Sequence, residues 1–194
     1  MNNKAVRRYL KHQINIHQLI QSIDSAIAVD SNCDLVWQNK CQFQLNLQQF
    51  DNALFSAKKI AGIKRSHLHD ELIGIIFYKL GNNDSAQAYF KTALQYYDAV
   101  LDTMNRQNKF YKNTVGNKAM ALKLADRNKE GDSVLEVLYE NETVDWMKES
   151  FKSTMQTSKK EFLDHLYKDK QDEYGVIDTS EQQQQRLPHT APHQ

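Results

Sequence analysis

The sequence predicts an all-α fold assembled from helix–turn–helix units and closed by a C-terminal helix. Three observations predict it. Only 2 prolines and 6 glycines occur in 194 residues, which suits a chain of long helices. Apolar residues recur at helical spacing, best seen in Ala86, Phe90, Ala93, Tyr97, Val100 and Met104, in steps of four and three. One helix–turn–helix pattern also repeats along the chain, first at an offset of 33 residues and then of 45.

The elements follow in order. Residues 1–33 read as a degenerate first unit. Leu19-x3-Ile23-x2-Ala26 has the spacing of a second helix, and the stretch from Ala5 to Gln13 supplies a polar first one. Residues 34–66 form a second unit, with Trp37 and Cys41 on one helix and Ala53 and Ala57 on the next. Residues 67–106 form the clearest unit, two apolar helices either side of Gly81-Asn82-Asn83-Asp84. Gly81 suits the end of the first helix, and Asp84 is expected to cap the second. Gly74 and Ala86 are small enough for the two helices to approach closely, and Phe77 and Phe90 fill their seam. The apolar stripe carries the second helix to about Arg106. Residues 109–140 make a fourth unit around Ala119, Leu122, Gly131, Leu135 and Leu138. Residues 143–172 are expected to form one closing helix, capped by Thr143 or Asn141. Its apolar face is Val144, Met147, Phe151, Phe162 and Leu166, backed by Lys and Glu. The domain therefore spans 1–174. Residues 175–194 hold a Gln run and both prolines, and are expected to be a disordered tail.

Bulk properties narrow the function. Charged residues are 25% and the net charge is +1, so no basic stripe points to nucleic acid. No apolar run approaches the roughly 18–20 residues of a membrane span. Arg7, Arg8 and Lys11 are followed by no apolar core of a signal peptide, so the chain as given reads as cytoplasmic. Helical periodicity starts close to Met1, so removal of an upstream leader, giving a periplasmic or lipid-anchored protein, stays open as an alternative.

Candidate chemistry is sparse. Cys33 and Cys41 are too few for a disulfide framework, and Cys41 stands where Gly74 stands in the next unit, as a small buried thiol. In His67-x-His69-Asp70-Glu71 the two histidines point about 200° apart on a helix and cannot share a metal. Glu161 and His165, four apart, read as a surface pair. His189 and His193 lie in the tail. No nucleophile elbow, zinc-binding helix motif, phosphate-cradling loop or dinucleotide fingerprint is present, so neither catalysis nor a cofactor is expected. Among the aromatic residues, Tyr89 and Tyr96 lie seven apart beside the main stripe. They are either interface anchors or rings packed with wet hydroxyls.

Residues 67–100 resemble a tetratricopeptide repeat, whose pattern is W-x2-L-G-x2-Y…A-x3-F…P. Asp70 takes the Trp place, Ile73-Gly74 the Leu-Gly place, Phe77 the Tyr place, and Ala86 and Phe90 match the second helix. Asp98 replaces the terminal Pro. In residues 34–66 the same places hold Trp37, Lys40-Cys41, Gln44, Ala53 and Ala57. The resemblance implies a right-handed helical solenoid of about three to four repeats with a capping helix. It also implies a concave groove lined by the first helix of each unit. That groove would contain Leu35, Gln38, Gln42 and Leu45, then Leu68, Glu71, Ile75 and Tyr78, then Asn113, Gly116, Met120 and Lys123, with Arg8 and Lys11 extending it. Family members that clamp a C-terminal carboxylate use Lys and Asn at places here held by Gln38, Gln42 and Glu71, so that mode is not expected. The expected function is to bind a protein partner, either an amphipathic helix or a protein surface. The alternative is an immunity-type inhibitor that blocks a toxin or an enzyme.

Overall fold

The structure, a computed structural model, describes residues 6–9, 11 and 15–167. The tail at 175–194 and the last residues of the expected closing helix lie outside the described residues. Every regular element among the described residues is a helix. After a short helical piece at 6–9 come α1 (Ile16–Val29), α2 (Asp34–Asn46), α3 (Phe50–Ile63) and α4 (His67–Lys79). They are followed by α5 (Asn83–Thr103), α6 (Tyr111–Leu124), α7 (Asn128–Glu140), α8 (Asp145–Gln156) and α9 (Lys159–His165). None is long and apolar enough to cross a membrane. Packing is closest within the pairs α4/α5, α2/α3 and α6/α7.

Those three pairs share one turn. The backbone N–H groups of Gln49, Asn82 and Arg127 reach back to the carbonyls of Gln44, Phe77 and Leu122 at 2.8–2.9 Å. Those of Gln48, Gly81 and Asp126 reach Leu45, Tyr78 and Lys123 at 2.9–3.1 Å. This is the Schellman closure, which absorbs the orphan carbonyls of a helix end and needs one left-handed residue. Gln48 (φ 55°), Gly81 (φ 77°) and Asp126 (φ 62°) supply it.

The same register places the small residues. Cys41, Gly74 and Ala119 each sit seven residues before the left-handed position, and Ala53, Ala86 and Gly131 each follow them by twelve. At these points the paired helices nearly touch. A Cβ on Gly74 would lie 2.6 Å from the Phe90 ring, and one on Gly131 would lie 2.7 Å from the Ala119 carbonyl. In the α2/α3 pair the Cys41 thiol donates to the Ala53 carbonyl at 3.4 Å. Gln44, in place of an aromatic, is buried and accepts a 2.7 Å hydrogen bond from the Ser56 hydroxyl.

Four expectations are corrected. Asn82, not Asp84, caps α5, its side chain accepting from the Ser85 N–H at 3.0 Å; the Schellman turn ends two residues before Asp84, which falls inside the first turn of the helix. Helix α5 stops at Thr103, short of Arg106, where Met104 turns extended. The closing helix is two helices. Thr157 is extended, and Ser158 with Glu161 forms a capping box that starts α9 afresh. The Glu161 carboxylate accepts from the Ser158 N–H at 2.9 Å, and His165 Nδ1 lies 2.7 Å from the Glu161 backbone carbonyl oxygen, so the two residues meet on the surface of α9. Neither Thr143 nor Asn141 caps α8. The Glu142 carboxylate instead accepts from the Thr143 and Val144 N–H groups, which hold its pKa below the usual range, helped by Lys112.

The break redirects the chain. Helix α9 crosses back onto α4, and Leu163 is fully buried in a core with Ile75, Phe90, Leu94 and Tyr97. Tyr167 packs against this core and against the preceding one, which contains Trp37, Cys41 and Ile73.

Candidate functional site

The expected groove residues divide into three groups. Leu35, Gln38, Gln42 and Leu68 are exposed, as are Arg8 and Lys11 beside them in the sequence scheme. The Gln42 amide spans one turn of α2 to Asn46 at 3.0 Å. A second group is covered. Leu45 is 1% exposed in the α2/α3/α4 core, because it lies at the inward end of its helix turn. Ile75 is buried and Tyr78 half-buried in the core that Leu163 enters, so α9 occupies that part of the face. Lys123 is also corrected. Its ammonium is buried, donating to Asp132 at 2.8 Å and to the Thr154 and Met155 carbonyls at 2.9 and 2.8 Å. It ties α6 and α7 to the C-terminal end of α8, where a cation meets unpaired carbonyls favourably.

The third group meets at one place. Glu71 of α4 and Asn113, Gly116 and Met120 of α6 line a single cavity of about 350 Å³. Helix α8 closes its far side with Trp146, Met147, Ser150, Phe151 and Thr154. Asn117, Leu135 and Phe162 complete the lining. Sequence reasoning missed the α8 wall. The apolar spacing of Met147 and Phe151 was visible, but only the break at Thr157 reveals how α8 faces α6.

The chemistry of the cavity centres on Glu71. The Tyr97 hydroxyl donates to its carboxylate at 3.0 Å. Burial pushes the Glu71 carboxyl up to about 7, and this hydrogen bond opposes the shift without cancelling it. Burial, followed by the neighbouring carboxylate, raises the Tyr97 phenol in turn. The His67 ring lies 4.2 Å from the Tyr97 ring, and burial and then His69 lower its pKa. Glu71 is the one ionisable side chain among the residues lining the cavity.

Asp70, next along α4, has a separate job. It is 1% exposed and bonded by the Arg65 guanidinium at 3.1–3.3 Å, which in turn lies over the Tyr96 ring. An aspartate thus fills the Trp place by recruiting a cation to its carboxylate. Tyr96 is 36% exposed, whereas Tyr89 is half-buried with its ring 5.5 Å from that of Phe77. Cys41 is buried, and loss of hydration pushes its thiol up to about 12, far from a reactive thiolate.

No protein-family model matches the chain, and no curated protein matches it.

Proposed function

We propose that this protein is an interaction module of the tetratricopeptide-repeat kind, a right-handed solenoid that holds a protein partner on its concave face. The observation that carries the reading is the common register of three helix pairs: left-handed turn, small residue seven before it, small residue twelve after that. Hairpins of one shape stack with their first helices side by side, and such a row makes a binding face. Glu71 of α4 meeting Asn113 and Met120 of α6 at one cavity supports such a row. With α9 covering Ile75, the face left for a partner is the exposed side of α2 and the cavity. Work of this kind needs shape and a few anchored side chains, and no cofactor.

Affinity capture from the source cell, using the tagged full chain, tests the proposal. Met120→Arg places a charged stem in the cavity, and Gln42→Arg alters the exposed α2 face. A protein captured by the wild type and lost with either variant, at unchanged helicity, is the expected result. Equal capture by all three chains would remove this face from consideration.

A further inference from the structure

We propose that the cavity between α4, α6 and α8 receives an alkylammonium group, offered by a lysine side chain of the protein partner. The inference rests on the interaction reading above and names the chemistry of its central contact.

The lining carries one ionisable group, and its charge when ionised is negative. Glu71 has Tyr97 as its hydrogen-bond donor and faces no cation across the cavity. Two cations, one close to Glu71 in sequence and one on α6, are engaged elsewhere. Arg65 is held by Asp70, and Lys123 by Asp132 and the end of α8. The remaining lining is suited to a cation on an aliphatic stem. Trp146, Phe151 and Phe162 line it with aromatic rings, a residue type that attracts ammonium groups, and Met120 and Met147 can pack adaptably on methylenes. Asn113 and Asn117 offer amide oxygens to the ammonium protons left over from Glu71. A volume of about 350 Å³ exceeds that of a lysine side chain and excludes a folded element. An anion would meet a carboxylate here with no compensating donor cluster, and a neutral stem would leave the carboxylate unpaired.

Protonation gives the proposal its signature. The Glu71 carboxyl titrates at about 7, so its charge, and with it the affinity for ammonium, rises as pH rises through that value. The titratable neighbours are few. On α5 there is Tyr97, which stays protonated across this range, and on α4 His67, whose pKa is lowered. From α6 and α8 the cavity meets only neutral side chains.

The test uses the full chain and follows the Trp146 indole NMR signal. The probes are n-butylammonium, a blocked single-lysine peptide, and the same peptide with norleucine. Both ammonium probes are expected to shift the signal, binding about tenfold tighter at pH 8 than at pH 6, the ratio of ionised carboxyl for a group titrating at about 7. Glu71→Gln is expected to abolish that pH dependence and the preference for lysine over norleucine. Tighter binding of the lysine peptide than of the free amine assigns the site to a polypeptide; the reverse assigns it to a small amine and overturns the lysine proposal. No shift with any probe, equal binding of norleucine, or an unaltered profile in Glu71→Gln also overturns it. Affinity capture with Glu71→Gln separates the two readings. A partner still captured leaves the interaction module standing while the ammonium contact falls.

Discussion

Glu71 shows what burying one carboxyl costs in stability. In the unfolded chain its carboxyl titrates near 4.3, and in the folded chain at about 7. Below pH 4 both states carry the proton and nothing is lost. As pH rises from 4 to 7 the unfolded chain releases its proton first, so the folded state loses stability, by an amount on the order of 2–4 kcal/mol. Glu71→Gln keeps an acceptor for Tyr97 and removes the charge. It should leave the urea midpoint unchanged at pH 4 and raise it at pH 8. Gly131 offers a second test at this scale. A methyl group there meets the Ala119 carbonyl, which is backbone and cannot swing aside, so Gly131→Ala should destabilise by about 1–3 kcal/mol. At Gly62 nothing lies within 4 Å of the added methyl, and Gly62→Ala should stabilise by about 0.5–1 kcal/mol. Thermal melts of the two variants should move in opposite directions.

Among the elements, the shared turn makes a prediction that separates backbone from side chain. Gln48 and Asp126 hold a left-handed conformation that costs a side-chain-bearing residue about 1 kcal/mol and costs glycine little. Gln48 is exposed, so Gln48→Gly should stabilise by roughly 0.5–1 kcal/mol. Asp126 also accepts hydrogen bonds from Gln87 and, at 3.0 Å, from Lys159 at the start of α9. Asp126→Gly should therefore gain less, or lose outright; denaturant titration of both decides. These turns also mark what was legible in the sequence. Gly81 announced its turn by composition, whereas Gln48 and Asp126, although they stand at the same 33- and 45-residue offsets from it, carry no such signal and went unread. The α2/α3, α4/α5 and α6/α7 pairs could be read because small residues at fixed spacing control helix approach. The break at Thr157–Ser158 was missed because the helical spacing of apolar residues runs on through it, from Phe151 to Phe162. The cap lay in plain view as Ser158-x-x-Glu161, a local signal outvoted by a longer pattern. Among the site residues, Glu71, Asn113 and Met120 could be placed from the repeat register. Lys123 could not, since its partners are carbonyls of α8, 31 and 32 residues away.

At the scale of the molecule, three cores lie in sequence order among the described residues. The first joins Leu19 and Ile23 to Val36 and Phe43, the second surrounds Cys41 and Ala57, and the third surrounds Phe90 and Leu122. A chain whose helices pack mainly on their sequence neighbours approaches a one-dimensional array, in which each unit can melt at its own temperature and ends fray independently. The return of α9 onto α4 alters that arithmetic. Residue 163 lies in the same core as residue 75, and Tyr167 reaches the second core as well. Opening α4 therefore requires releasing the far end of the chain, and the middle and C-terminal units share one unfolding event. Leu163→Asp should split that event, giving a broader calorimetric transition with a van't Hoff enthalpy below the calorimetric one. Amide exchange in α4 should then speed up while that in α1 stays as it was. The clasp thus acts less as a cap than as a staple, turning a row of neighbours into a cooperative unit.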